Sequence, residues 1–222
     1  MADLQAIANA LIAGKIEKTS RYPPALAGKP GVKELVQEAL DAGMRPTDVL
    51  NKGLIAGMEV VGRRFRDSEI FLPDVLMSAK AMQSAMEILR PKLSEADMKG
   101  RGTVIIGTVQ GDLHDIGKNL VSMMVAGAGF KVVDLGVDVT PEKYVAAAKE
   151  NPGAVVGMSA LLTTTMPSMG KTIEALKEAG LGNPTIIGGA PTTQEFADEI
   201  GATLYAADPT TAIEKINAML AA

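Results

Sequence analysis

Cysteine and tryptophan are absent from these 222 residues, and histidine occurs once. Without cysteine there is no disulfide, no thiolate zinc site and no thiol nucleophile, so metal chemistry must rest on imidazole, carboxylate or a prosthetic group. Aromatic residues are scarce, with three tyrosines and four phenylalanines, and 22 basic against 26 acidic side chains give a formal charge of −4. Nucleic-acid binding, which calls for a basic stripe and stacking rings, is therefore not expected. No apolar run approaches the roughly 18 residues of a membrane span, and the opening MADLQAIANALIAGK carries an acid rather than a basic leader. A cytoplasmic location with no membrane contact is the expectation. What the chain does have is core material, 47% hydrophobic residues, enough for one large or two small domains.

Residues 1–92 carry helical periodicity and almost no strand signal. Pro46 and Pro73 stand where prolines open helices, and apolar positions recur every three or four residues behind each. These are Leu50, Leu54, Met58, Val61 and Phe65 after the first, and Val75, Ala79, Met82, Met86 and Leu89 after the second. The pattern predicts a four-helix bundle. Met58, Met77, Met82 and Met86 are expected to fill irregular core space. Charge, glycine and proline then break the pattern, which marks 93–102 as a surface linker and hinge.

From Thr103 to the end the pattern becomes α/β. Five short β-branched runs, TVIIGTV, KVVDLG, AVVGMSA, PTIIGGA and ATLYAA, alternate with helical stretches. Five βα units imply an open, five-stranded parallel sheet with helices on both faces, Rossmann-like and flavodoxin-like, with the switch point between the first and third strands if the order is 2-1-3-4-5. Ligands of such folds sit beyond the carboxyl ends of the strands, at the switch point between the first and third. The loops after strands one, three, four and five should therefore share one rim.

The single histidine, His114, lies in the first of those loops, in GDLHDIGKN (111–119). An imidazole ligates metal through one nitrogen when a carboxylate fixes the other, and Asp112 stands two residues away for that purpose. The competing assignment is a loop histidine bonded to backbone. Asp115, just before a helix, is expected to cap it. Lys118 and Asn119 read equally well as the solvated start of that helix and are left out of the site. One imidazole cannot hold a free divalent ion, so a metal would have to arrive with its own ligands.

Taken together, GMEVVGRRF (57–65), FLPDVLMSAKAM (71–82), GDLHDIGKN, VVGMSALLTTTM (155–166) and IIGGA (186–190) make the chain resemble the corrinoid proteins of methyl-transfer systems. The likeness is to the small carriers serving methylamine or methanol methyltransferases, and it extends to the cobalamin module of methionine synthase. It covers most of the chain.

The resemblance implies a cofactor, cobalamin or another cobamide, cycling between Co(I) and methyl-Co(III). His114 would replace the cofactor's own base as lower axial ligand of cobalt, and Asp112 would accept from the other ring nitrogen. Thr165 would complete the relay at a place where methionine synthase-type modules carry serine. Proton movement through this relay would tune ligation. Gly111, Leu113, Asp115, Ile116 and Gly117 would frame the ligand loop. Ser159, Leu161 and Thr163 would line a slot for the nucleotide tail, with Gly188, Gly189, Ala206 and Asp208 around the nucleotide. Phe65 and Leu72 would cover the upper face of the corrin, although periodicity alone makes Phe65 ordinary core. Asn51 departs from the glutamate of the methionine synthase-type cap.

As function, the resemblance implies a methyl carrier rather than a catalyst. It would work between a substrate-specific methyltransferase and a second methyltransferase acting on a pterin or thiol, with a reductive activase as a further partner. The alternatives are an adenosylcobalamin mutase small subunit, a cobalamin-responsive sensor and a response-regulator-like domain.

Overall fold

The computed structural model describes residues 3–94 and 101–220. Most of the expected linker, 93–102, thus lies outside the described residues. The chain divides into two compact units, residues 1–98 with 127–129, and residues 99–126 with 130–222.

The first unit is helical. Its α-helices are α1 (Leu4–Ile12), α2 (Val32–Asp41), α3 (Pro46–Asp48), α4 (Ala56–Arg66) and α5 (Leu72–Leu89). Between α3 and α4 the backbone stays right-handed through a π-helical stretch, Val49–Ile55, so α3 to α4 is one rod and the unit is a bundle of four. Pro46 opens α3, and Pro73 lies in the first turn of α5, where a missing N–H costs nothing. Gly53 and Gly57 set how closely α1 crosses the rod: a Cβ on Gly53 would come 3.2 Å from Ile7 Cγ2, and one on Gly57 3.2 Å from the Ala8 carbonyl. Leu54, Met58, Val61, Val75, Met82 and Leu89 are buried as their periodicity requires. Phe65, Ala79 and Met86 are only half-buried.

The second unit alternates β1 (Thr103–Thr108), α6 (Ile116–Gly127), β2 (Lys131–Asp134), α7 (Pro141–Glu150), β3 (Val155–Ser159), α8 (Pro167–Glu178), β4 (Thr185–Gly188), α9 (Gln194–Ile200), β5 (Leu204–Tyr205) and α10 (Pro209–Leu220). All pairings are parallel and the order is β2-β1-β3-β4-β5. Side chains alternate across a strand. Ile105, Val156 and Ile187 join Tyr144, Met169, Ile173 and Leu176 of α7 and α8 in one core layer, while Val104 and Ile106 are buried on the opposite face. Right-handed crossovers place α7, α8 and α9 together and α6 across the sheet. The direction of pairing reverses at β1, whose last residue, Thr108, lies beside Ser159 of β3. This is the Rossmann-like architecture expected from the sequence. β5 is reduced to two residues.

Among the described residues no helix is long and apolar enough to cross a membrane.

Candidate functional site

Five hydrogen-bond donors converge on the Asp112 carboxylate, which is fully buried. Oδ1 accepts from the His114 backbone N–H (3.0 Å) and lies 2.7 Å from His114 Nδ1. Oδ2 accepts from the N–H groups of Leu161 (2.8 Å) and Leu162 (3.3 Å) and from the Thr165 hydroxyl (2.8 Å). Burial pushes the acid up, but the bonds from Leu161, His114 and Thr165 outweigh it and hold Asp112 well below the usual carboxylate range. An ionised carboxylate only accepts, so Nδ1 carries a proton toward it, and in the neutral imidazole Nε2 is the nitrogen that keeps a lone pair. The His114 side chain is half exposed.

The loop is held from below as well. The buried Thr108 hydroxyl, at the end of β1, donates to the His114 carbonyl at 2.9 Å. The loop after β1 is tied to the end of β3 by Val109 N–H to the Ser159 carbonyl (3.0 Å) and to the first turn of α8 by Ser168 Oγ to the Gln110 carbonyl (3.2 Å). The Thr165 hydroxyl has two acceptors, since the Leu162 carbonyl is also 2.8 Å away, and one proton to give.

The two loops beside the imidazole expose four large apolar side chains, Leu113, Ile116, Leu161 and Leu162, together with Asp115 and Thr164. Gly117, in the first turn of α6, faces open space, with nothing within 4 Å of where a Cβ would stand. Thr163 is exposed and Ser159 half-buried beside this rim. Gly111 has φ +84°, and a Cβ there would come 3.6 Å from Thr165 Cγ2.

Gly188 and Gly189 have a different physical reason from the one their sequence position suggests. A Cβ on Gly189, at φ +130°, would lie 1.9 Å from the Ala160 carbonyl oxygen, and one on Gly188 2.9 Å from that of Ala206. The glycines let the loops after β3, β4 and β5 close on one another. Ala206 is buried, its N–H bonded to the Ile187 carbonyl (3.0 Å). Asp208 is a helix cap: Oδ1 takes the N–H groups of Thr210 (2.8 Å) and Thr211 (2.9 Å), and Oδ2 the Thr211 hydroxyl (2.5 Å).

Two expectations at the start of α6 change. Lys118 is not solvated: it is 3% exposed and pairs with Asp134 Oδ2 at 2.5 Å, because its stem lies on the inward face of the helix. Asp115 gives its carbonyl to the Asn119 N–H (2.7 Å) and its carboxylate to Asn119 Nδ2 (2.9 Å), so its side chain serves the fourth residue onward. Phe65 and Leu72, both half-buried, lie in the helical unit, at the end of α4 and the start of α5. Asn51 is exposed on the π-helical stretch. The side chains bonded to this loop that sequence reasoning had no cause to single out include Thr108 and Asp138. A threonine closing a strand just before a ligand loop was the available sign of the first.

The donor set narrows what the site could hold. Among the described residues no three His, Cys, Asp or Glu side chains are grouped to bind a free metal ion. One oriented imidazole beside open, apolar surface fits a metal already enclosed in an organic ring. Comparison with known proteins shows the family. Residues 102–215 match the B12 binding domain family, and residues 28–90 match a second model described as B12 binding domain. The chain belongs to the B12-binding family. Among curated corrinoid proteins it is 46% identical, over 191 residues, to trimethylamine corrinoid protein 1 of Methanosarcina acetivorans, covering 84% of this chain and 88% of that one. It is 44% identical over 194 residues to a corrinoid protein of Desulfitobacterium hafniense, covering 85% and 90%. Among solved structures, the methanol:cobalamin methyltransferase complex of Methanosarcina barkeri matches this B12-binding chain at TM-score 0.83 and 33% identity, covering 98% of this chain and 79% of that one. A cobalamin-binding protein of Desulfitobacterium hafniense matches at TM-score 0.76 and 31% identity, covering 97% of each.

Proposed function

We propose that this B12-binding protein is a methyl carrier that holds a corrinoid in the base-off form, with His114 Nε2 as the lower axial ligand of cobalt. When bound, the corrinoid supplies a cobalt centre able to accept a methyl group from one enzyme and yield it to another. The observation that carries the proposal is the buried Asp112 carboxylate locking the proton of a half-exposed imidazole onto Nδ1.

The chain's own residues then have distinct tasks. Thr108 and Asp112 fix the main chain of His114 at its carbonyl and its N–H. Asp112 raises the donor strength of the imidazole through Nδ1–H, and uptake of a proton by this group weakens it. Thr165 offers the means of accommodating that proton. With Asp112 ionised, its hydroxyl donates to Oδ2. Were Asp112 to take up a proton, its carboxyl O–H would donate to the Thr165 oxygen, and the Thr165 hydroxyl would donate instead to the Leu162 carbonyl, 2.8 Å away. Leu113, Ile116, Leu161 and Leu162 would shield the coordinating face from water, Gly117 would leave room for the corrinoid, and Ser159 and Thr163 would border the nucleotide tail. Gly188, Gly189, Ala206 and Asp208 would shape the far wall of that slot, and Phe65 and Leu72 would cover the opposite face of the ring. The domain division 1–92, 93–102 and 103–222 accompanies this assignment.

The relatives' names point to the partner. Trimethylamine corrinoid proteins at 46% identity make a methylamine methyltransferase the first to test as donor enzyme. A second methyltransferase, acting on a pterin or thiol, would discharge the carrier, and a reductive activase would restore it. The work of such a carrier is cytoplasmic. The test is to load the full chain with hydroxocobalamin, reduce it, and mix it with trimethylamine and a trimethylamine methyltransferase. A visible spectrum changing to that of a methylated corrinoid supports the proposal, and an unchanged spectrum with a bound, reduced corrinoid contradicts it.

A further inference from the structure

The loop between β2 and α7 contains a side chain in a backbone conformation that side chains avoid. Asp138 has φ +51°. Its backbone N–H donates to the Asp112 carbonyl at 3.0 Å, and its Oδ1 accepts the Gly111 N–H at 2.7 Å. One exposed residue therefore holds the peptide groups on both sides of the Gly111–Asp112 pair. Its own loop is tied down before and after it: Asp134 Oδ1 accepts the Gly136 N–H (2.9 Å), and Val139 N–H donates to the Thr108 carbonyl (3.0 Å). Asp134 is also the partner of the buried Lys118.

A left-handed position by itself favours glycine, which takes this φ with no steric cost, while aspartate merely tolerates it. The carboxylate is what glycine lacks, and its 2.7 Å bond to an N–H is of the short, charge-assisted kind. We propose that Asp138 is a positioning residue for His114: by latching the Gly111 N–H it sets the angle at which Asp112 presents Oδ1 to the imidazole, and so keeps the ring proton on Nδ1. This rests on the assignment of His114 as ligand, and it reaches beyond the relay of Asp112 and Thr165 to a residue in a different βα loop.

The test compares Asp138→Gly, Asp138→Ala and Asp138→Asn in the full chain. Because the chain has one histidine, 15N-histidine labelling reports the tautomer of His114 alone, without any cofactor. Hydroxocobalamin titration followed by visible absorbance gives affinity. Asp138→Gly relieves the backbone but removes the acceptor, and is expected to weaken binding about 10-fold, the lower range for lost support of a ligating histidine. It should also move both ring nitrogens toward a mixed-tautomer average, as should Asp138→Ala. Asp138→Asn keeps an Oδ1 acceptor and should remain close to the parent in both. A glycine variant matching the parent in both measurements would overturn the latch, as would an asparagine variant as impaired as the glycine one. His114→Ala is run alongside: retention of the parent's loaded spectrum there would refute ligation by His114 itself, whereas its loss together with an unaffected Asp138→Gly would refute the latch alone.

Discussion

Asp112 Oδ1 stands 2.7 Å from His114 Nδ1, and the same oxygen accepts the His114 backbone N–H at 3.0 Å. A single carboxylate oxygen thus fixes both the ring and the main chain of the residue that carries it. Replacing the carboxylate by an amide leaves one oxygen for two sets of donors. In Asp112→Asn, the oxygen is expected to stay with the fixed backbone donors of Leu161 and Leu162, and the amide NH2 to face the ring. The imidazole then accepts at Nδ1 and carries its proton on Nε2, where it blocks coordination. Hydroxocobalamin affinity should fall about 10–100-fold, with the tautomer change visible by 15N-histidine NMR. An unchanged tautomer would contradict this.

The depressed acidity of Asp112 also fixes the sign of a stability effect. Its folded value lies below its ordinary one, so its contribution is fully present above the unfolded pKa of about 3.9 and is lost as pH falls from there through the folded value. The stability gap between parent and Asp112→Asn, from urea unfolding, should be largest near pH 7 and shrink below pH 4. A gap that widens on acidification would show that the carboxylate is not held ionised.

Thr165→Val removes the hydroxyl that bridges Asp112 Oδ2 and the Leu162 carbonyl, leaving a buried acceptor short of a donor. The expected loss is about 1–3 kcal/mol, or a Tm lower by roughly 2–12 °C at this size. Thr165→Ser should keep most of it, because either bond needs only the hydroxyl. Equal melting of the valine variant and the parent would remove Thr165 from the network.

The two kinds of glycine at the rim should separate cleanly. Gly189→Ala forces a Cβ onto the Ala160 carbonyl oxygen at a φ only glycine accepts, and should cost about 2 kcal/mol or more without any cofactor present. Gly117→Ala meets nothing and should stabilise the apo chain by up to about 1 kcal/mol while weakening hydroxocobalamin binding. Thermal melts with and without hydroxocobalamin check both. A Gly117→Ala chain binding as well as the parent would take that glycine out of the site.

The parallel sheet was legible because five β-branched runs alternate with helical stretches, while its order was one option among the few that right-handed crossovers leave. The pairing of His114 with Asp112 was legible because two residues of separation suffice for it. Thr165 lies 53 residues from Asp112, and only the family resemblance brought them together. The donors at Leu161 and Leu162 are backbone N–H groups, to which side-chain identity gives no clue. Asp138 was missed for a related reason, since a left-handed φ at an aspartate leaves no mark in composition or periodicity. The burial of Lys118 left no mark either, since a lysine in the first turn of a helix normally reaches water, and here a carboxylate at the end of β2 takes the charge instead. The glycines after β4 were noticed as a pair, but the carbonyls they make room for belong to loops distant in sequence.

The most direct test of the account uses the one histidine as an isotopic address. The chain is grown with 15N-histidine, loaded with an unlabelled corrinoid and reduced to Co(II), and the EPR splitting from the axial nitrogen is compared with that of the unlabelled protein. Coordination by His114 requires the triplet of ordinary nitrogen to become the doublet of 15N. A triplet that persists in the labelled protein would mean that the cofactor keeps its own base, and would contradict the central claim.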